Sequence, residues 1–262
     1  MDIMDLLKTE TDRIEWKETE KDTKDIARAV CALANDLGDT REDGYLILGV
    51  RKDGTPLGVK GDQLGRSVEG IWRPNPAALL IFGIDPQSFF PGAILEFVRY
   101  EGSDIDSAIV SRKTITGTLA DQLDSVWTQL EANLVERPAR DNGIRLEFLA
   151  NYPIGALKEL ARNMTQHRLF EGTNAPGRIE WYNDRIEFSN PGGPFGHANE
   201  GEFGETSDYR NPNITGKLAE KGYVQRLGRG VRRVRQRLAK NGNPPLEVET
   251  DGYTRVIVRS AV

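Results

Sequence analysis

The 262-residue chain holds one cysteine, Cys31. That excludes an internal disulfide framework and any cysteine-based zinc cluster. Cys31 stands among Ala29, Val30 and Leu33, which reads as a small buried hydrophobe. Long apolar runs are also missing. The longest, Ala77 to Phe82, is far too short to cross a bilayer, so no membrane partner is expected. The first residues include Asp2 and Asp5 rather than a basic-then-apolar leader, and a cytoplasmic protein is expected. No Gly-Lys-Ser/Thr phosphate loop occurs, so P-loop chemistry is excluded. There is no internal repeat and no low-complexity segment. An excess of basic charge is absent too. The net charge of −5 argues against a surface coated for nucleic acid, while leaving room for a local basic patch.

What is present suits a soluble globular protein: 38% hydrophobic and 29% charged residues, with length for one large or two ordinary domains. Arg13 to Lys17 alternates as a strand. Asp22 to Leu37 carries a helical stripe through Ile26, Val30 and Leu33, with Gly38 as a natural stop. Gly44 to Val50 reads as a strand, and Lys52 to Thr55 as a turn into a return strand, Pro56 to Val59. Asn75 to Gly83 fits a short helix or a buried strand. Ile94 to Tyr100 and Ile109 to Thr116 read as strands, and Thr118 to Leu134 as an amphipathic helix. Phe89, Phe90 and Phe97 suit a core or a base-stacking platform. The polar, proline-bearing stretch from Arg137 to Gly143 is the expected boundary, dividing the chain into 1–140 and 141–262.

The candidate chemistry lies beyond that boundary. A helix starting at Pro153 places Glu159, Asn163 and His167 one turn apart on a single side. A carboxylate, an amide oxygen and an imidazole so aligned suit a divalent metal or a water near a phosphate, and a solvated face would carry the same pattern. Gly177 to Tyr182 and Arg185 to Ser189 form a hairpin that ends at Asn190-Pro191-Gly192-Gly193. Asn199 to Asp208 reads as a lid or a plain surface loop. Asn213 is the expected cap of a helix from Ile214 to Lys221. Gly228-Arg229-Gly230 opens another helix, whose free N–H groups suit a phosphate. Along it Arg229, Arg233, Arg237 and Lys240 form an outward stripe. That stripe suits DNA or RNA phosphates, with Arg229 alternatively on ATP, or simple solvation. Val256-Ile257-Val258 belongs to a closing hairpin.

Glu159, Asn163, His167-Arg168, the hairpin ending Asn-Pro-Gly-Gly, Tyr209-Arg210-Asn211-Pro212 and Gly228-Arg229-Gly230-Val231 follow in order. Together they resemble the module labelled RecG-like ATP-dependent helicase, C-terminal, a divergent GHKL (Bergerat-type) ATP-binding fold. Upstream, Glu10, Glu15-Trp16-Lys17, Ala32 to Asn35, Gly44 to Val50, Asp53-Gly54 and Gly58 resemble a Schlafen AlbA-type domain, shortened after residue 60. The resemblance implies an α/β (α+β) protein with two domains, and favours a helix at Asn75 to Gly83. It implies ATP and Mg²⁺ as cofactors. Glu159 would orient water and Asn163 would carry the metal. His167, Asn190, Gly192, Gly193, Gly228, Arg229 and Gly230 would contact nucleotide. Familiar GHKL ATPases place an Asp on the adenine amino group, where this chain reads Asn190-Pro191-Gly192.

The implied function is an ATP-binding, nucleic-acid-associated regulator, transcriptional or in phage defence, and homo-oligomeric. The alternatives are a metal-dependent nuclease using Glu10, Glu15 and Asp53, and a non-catalytic scaffold. Some Schlafen members are RNases with three acidic residues. The third position here is Lys52, which repels a metal ion, so little nuclease activity is expected.

Overall fold

The computed structural model describes residues 6–18, 23–35, 43–55, 65–68, 71–138, 148–225 and 228–261. The expected return strand at Pro56 to Val59, most of the loop from Asp36 to Asp43, and Arg226 and Leu227 lie outside them. The chain forms two compact units, Met1–Asp85 and Pro86–Val262.

In the first unit, β1 (Ile14–Lys17), α1 (Thr23–Asn35) and β2 (Tyr45–Leu48) make a β–α–β arrangement with the strands parallel. Ile14 and Trp16 of β1 point inward with Val50, and Leu6, Leu7, Tyr45 and Ile47 pack around them. The outward residues of the same strand are Glu15 and Lys17, as its alternation requires. A hairpin, β3 (Gly65–Val68) and β4 (Ile71–Pro74), precedes α2 (Pro76–Phe82). Periodicity leaves that last stretch open. Asn75 settles it as a helix, because its side chain accepts from Ala78 N at 2.9 Å and Pro76 suits the first turn.

The second unit is a mixed six-stranded sheet. Its strands are β5 (Leu95–Tyr100), β6 (Ile109–Ile115), β9 (Gly177–Trp181), β10 (Arg185–Pro191), β11 (Glu247–Thr250) and β12 (Tyr253–Arg259). Their order is β11-β12-β10-β9-β5-β6, and only β5 and β9 run parallel. A short separate pair, β7 (Glu136–Pro138) and β8 (Phe148–Ala150), precedes the helix bearing the candidate site. The sheet placement moves the expected boundary. Residues 95–115 are hydrogen-bonded into the sheet of the C-terminal strands, so the division falls at Asp85, well before residue 140. Of the polar stretch from Arg137 to Gly143, residues 139–143 lie outside the described residues.

One face of the sheet is covered by α3 (Leu119–Ala132), α4 (Ile154–His167) and α6 (Gly230–Asn241), with α4 touching both others and β10. Thr118 and Asp121 close a reciprocal cap on α3. Leu123, Val126, Leu157, Val234, Ile179, Ile186 and Val258 are fully buried between the layers. Phe97 joins them, 1% exposed and tilted against Trp181, which settles its role as core. The last helix to name, α5 (Pro212–Glu220), begins two residues earlier than expected. Asn211 precedes it, so Asn213 is not its cap.

Candidate functional site

Glu159, Asn163 and His167 line one cleft between α4 and the sheet. The floor is Asn190 on β10 with Thr254 and Val256 on β12, and Asn190 and Thr254 are register partners. Gly193, Gly228 and Gly230 also line it. The helix face and the glycine motif, far apart in sequence, therefore meet in one place.

Two asparagines hold the C-terminal end of α4, whose last carbonyls have no intrahelical donor. Asn190 Nδ2 donates to Met164 O at 3.0 Å. Asn211 Nδ2 donates to Gln166 O at 2.9 Å and to Arg168 O at 2.7 Å. Of the two, Asn190 was the one expected to contact nucleotide. Asn190 lies in β10, which runs two residues beyond the expected end at Ser189, to Pro191. Pairing with β9 has already stopped at Ser189, so Pro191 meets the requirement that a strand proline have a free side.

Asn190 is 6% exposed and its Oδ1 is buried without a hydrogen-bond partner. Met164 O accepts only, so Nδ2 must face it and Oδ1 must be the free atom. Beside it, Thr254 Oγ1 donates to Gly192 O at 3.0 Å, leaving its lone pairs unused by that bond. The floor thus offers acceptors, and an unpaired buried acceptor normally costs about 1–3 kcal/mol. Sequence reading missed Thr254. The only signal was its place beside Val256 in the closing hairpin.

His167 stacks on Tyr209 with ring centroids 5.7 Å apart and planes 15° apart. Burial, helped by the neighbouring Arg210 and opposed by Asp208, pushes its pKa down to about 4, so the ring is neutral at physiological pH. Arg210 itself donates to Gly193 O at 2.9 Å and lies over the Phe195 ring.

At the other end Glu159 is held from one side. Arg162 Nη1 donates to its Oε2 at 3.1 Å, and the Arg162 guanidinium lies 4.9 Å from the Trp127 ring centre. Its Oε1 lies against Gly230, the first residue of α6, where an added Cβ would come within 2.8 Å of it. Arg229 precedes α6 without a side-chain cap, so the first N–H groups of this helix face the cleft end uncapped.

The segment from Asn199 to Asp208, read as a lid or a plain surface loop, adjoins the cleft. Phe195, Phe203, Thr206 and Ser207 line the cleft. Thr206 Oγ1 donates to His197 O at 2.6 Å, and His197 N donates to Asp208 Oδ2 at 3.3 Å. Gly204 has φ +84° and its added Cβ would sit 2.4 Å from Val231 Cβ, so only glycine permits this approach. With the segment in place the cavity measures about 100 Å³. That is below the roughly 300–1,000 Å³ of typical small-molecule sites.

Several expected residues lie elsewhere. Gly192 turns at φ +90° behind the cleft, against Leu169 and Arg210. Arg229 is exposed and does not line the cleft. On α6, Arg233 donates to Gln225 Oε1 at 3.0 Å and Arg237 donates to Gly155 O, so neither is a purely solvent-facing charge. Lys240 is exposed as expected.

In the first unit the acidic residues do not converge. Glu10 Oε1 accepts from Trp16 N at 2.7 Å, and Asp53 Oδ1 accepts from Thr55 N at 2.9 Å. Glu15 is paired with Lys17 at 2.6 Å, and Lys17 also reaches Asp25 at 2.7 Å. The bond to Asp25, then that to Glu15, holds the Lys17 ammonium above its ordinary pKa. Among the described residues no group of three or more His, Cys, Asp or Glu is placed to hold a metal ion, and no helix is long and apolar enough to cross a membrane.

Residues 10–71 match the family model described as Schlafen, AlbA_2. Residues 174–258 match the one described as putative ATP-dependent DNA helicase recG C-terminal. No curated protein matches the chain. A crystal structure of the DIP2311 protein from Corynebacterium diphtheriae is similar in fold, with a TM-score of 0.59 at 18% identity. That similarity covers 72% of this chain and 38% of the other, so this chain spans well under half the length of that protein.

Proposed function

From a chain that carries a Schlafen AlbA_2 module and then a recG C-terminal module, we propose an adenine-nucleotide-binding, nucleic-acid-associated regulator. The observation that carries the nucleotide reading is Asn190 Oδ1, a buried acceptor without a partner on the floor of the cleft. Together with Thr254 it suits a base bearing an exocyclic amine. A 6-oxo purine would set oxygen against oxygen. Asparagine can thus serve where related ATPases use an aspartate, because its Nδ2 is already committed to Met164. Asn163 is the side chain that would carry Mg²⁺ on the phosphates, and Glu159 the one that would orient a water for hydrolysis.

Calorimetric titration of the full chain with ATP and with GTP, each with Mg²⁺, tests this. ATP is expected to bind at least 30-fold more tightly, and Asn190→Leu should remove that preference. Equal affinity for the two nucleotides, or no binding of either, would sink the reading.

Nucleic-acid contact through α6 is favoured by an imbalance of charge. Arg162, Arg178, Arg185, Arg255 and Arg259 each pair with carboxylates. Among the described residues no carboxylate pairs with Arg229, Arg232, Arg235 or Lys240. Val231, Val234 and Leu238 are buried, so no apolar stripe remains for a membrane, and phosphate is the better-suited anion. Arg233 and Arg237 serve the fold as well, which makes Arg232 and Lys240 the cleaner probes. Arg232→Ser with Lys240→Ser is expected to flatten the log–log salt slope of RNA or DNA binding by about 0.7–0.9 per lost contact. An unchanged slope in the folded variant would place the contact elsewhere.

A further inference from the structure

β6 ends the sheet, and its outer edge has no strand beside it among the described residues. A strand with one buried face would alternate, yet residues 109–114 are all exposed and only Ile115 is buried. Edge strands of stable monomers usually carry charge or proline in such a place. This one carries Ile109, 55% exposed, and Val110, 63% exposed, with Ile105 at 67% in the turn just before them. Those are three of the nine large apolar side chains exposed among the described residues, and they are neighbours on one edge. The register with β5 accounts for the central pair. Arg99 stands opposite Ser111 while Tyr100 stands opposite Ile109, so Val110 is the extra residue of a bulge. Charge on either side of the pair is of opposite sign. The turn before it holds Asp104 and Asp106, and the strand after it holds Arg112 and Lys113, all exposed. Asp104 Oδ1 accepts from Asp106 N at 3.0 Å and from Ser107 Oγ at 3.2 Å, and Arg112 pairs with Glu96 at 2.7 Å. Among the described residues no cation pairs with Asp106 and no carboxylate with Lys113.

We infer that β6 is the contact between two copies of this chain, related by a two-fold axis that passes between Ile109 and Val110. Antiparallel packing about that axis sets Ile109 of each copy against Val110 of the other. It also brings Asp106, three residues before Ile109, to the other copy's Lys113, three residues after Val110. The edge is thus complementary to itself, as a closed two-fold contact requires. An edge of one sign would repel its own copy instead. The opposite edge of the sheet suits β6 less well. β11 is four residues long, and its Glu247 and Glu249 are already held by Arg259 and Arg255. Joining β6 to it would also make a head-to-tail contact, which forms rings or open chains rather than pairs. One strand and one turn from each copy make a contact smaller than a standard stable interface, which suits an equilibrium between dimer and monomer.

Sedimentation equilibrium of the full chain at low salt tests this. The unaltered protein is expected to show a monomer–dimer equilibrium below about 100 µM. Asp106→Lys and Lys113→Glu, each alone, should weaken the dimer at least tenfold, because each sets like charges together twice about the axis. Mixed in equal amounts, the two variants should dimerise within threefold of the unaltered protein. In the mixed pair the introduced lysine meets the introduced glutamate, and Lys113 of one copy meets Asp106 of the other. Mixing cannot cure a variant that has merely lost its fold, and thermal melts of each check that both are folded. A chain that stays monomeric through this range would overturn the inference. So would a dimer that neither substitution weakens, a mixture no more associated than its components, or a series of species larger than the dimer.

Discussion

Asn211→Ala is expected to destabilise the second unit by about 2–4 kcal/mol, because its side chain holds the end of α4. Its amide donates to two carbonyls at the end of α4, Gln166 O and Arg168 O. Each carbonyl left without a donor in a partly buried setting costs about 1–3 kcal/mol. Asn211→Asp separates this from a packing effect. The aspartate fills the same volume but donates nothing, and it sets a negative charge against two carbonyl oxygens. It should be no better than alanine, and worse at neutral pH. Urea unfolding at pH 7 decides the matter. An aspartate variant as stable as the unaltered protein would show that these two hydrogen bonds contribute little. Because His167 lies in the same turn, both variants should also weaken ligand binding in the cleft.

His167 makes the unit's stability depend on pH. In the folded chain it takes up a proton only near pH 4, against 6.5 for an ordinary histidine. Between those values the unfolded chain binds a proton that the folded chain refuses. Stability contributed at neutral pH is therefore lost as the pH falls through this window, and the loss from this group levels off below about pH 4. A gap of this size amounts to about 3 kcal/mol. Carboxylates titrate in part of the same range, so the comparison that isolates His167 is His167→Phe, which keeps a ring against Tyr209. Urea midpoints at pH 7, 5 and 4 should converge for the two proteins at low pH or cross. Parallel pH profiles would contradict the assignment.

Much of the fold was legible because periodicity reports burial directly. The α4 stripe, the β9–β10 hairpin and the buried residues of α3 follow from spacing alone. The cleft wall was legible for the same reason, since residues one turn apart share a side wherever the helix ends up. Three things were not. The domain boundary depends on which strand pairs with β5, and nothing local to residues 95–115 names a partner so distant in sequence. Thr254 joins the site only through its register with Asn190. The Asn190-Pro191-Gly192-Gly193 motif was expected to contact nucleotide, yet Asn190 Nδ2 binds a backbone carbonyl, because the end of a helix asks for the same donors that an anion does. In the first unit, the alternation of β1 put Glu15 and Lys17 on one face, but not the bridge from Lys17 to Asp25.

The parallel pairing of β5 with β9 also sets an order of events during synthesis. A ribosome releases β5 and β6 together, and their hairpin can close at once. The other edge of β5 must wait until Trp181 has emerged, because its partner lies on the far side of α3, β7, β8 and α4. Throughout that interval Leu95, Phe97 and Val98 are bare to water in a strand with one unpaired side, the condition under which nascent chains associate with one another. Glu96, between Leu95 and Phe97, and Arg99, next after Val98, keep charge on the waiting strand until the rest of the sheet arrives.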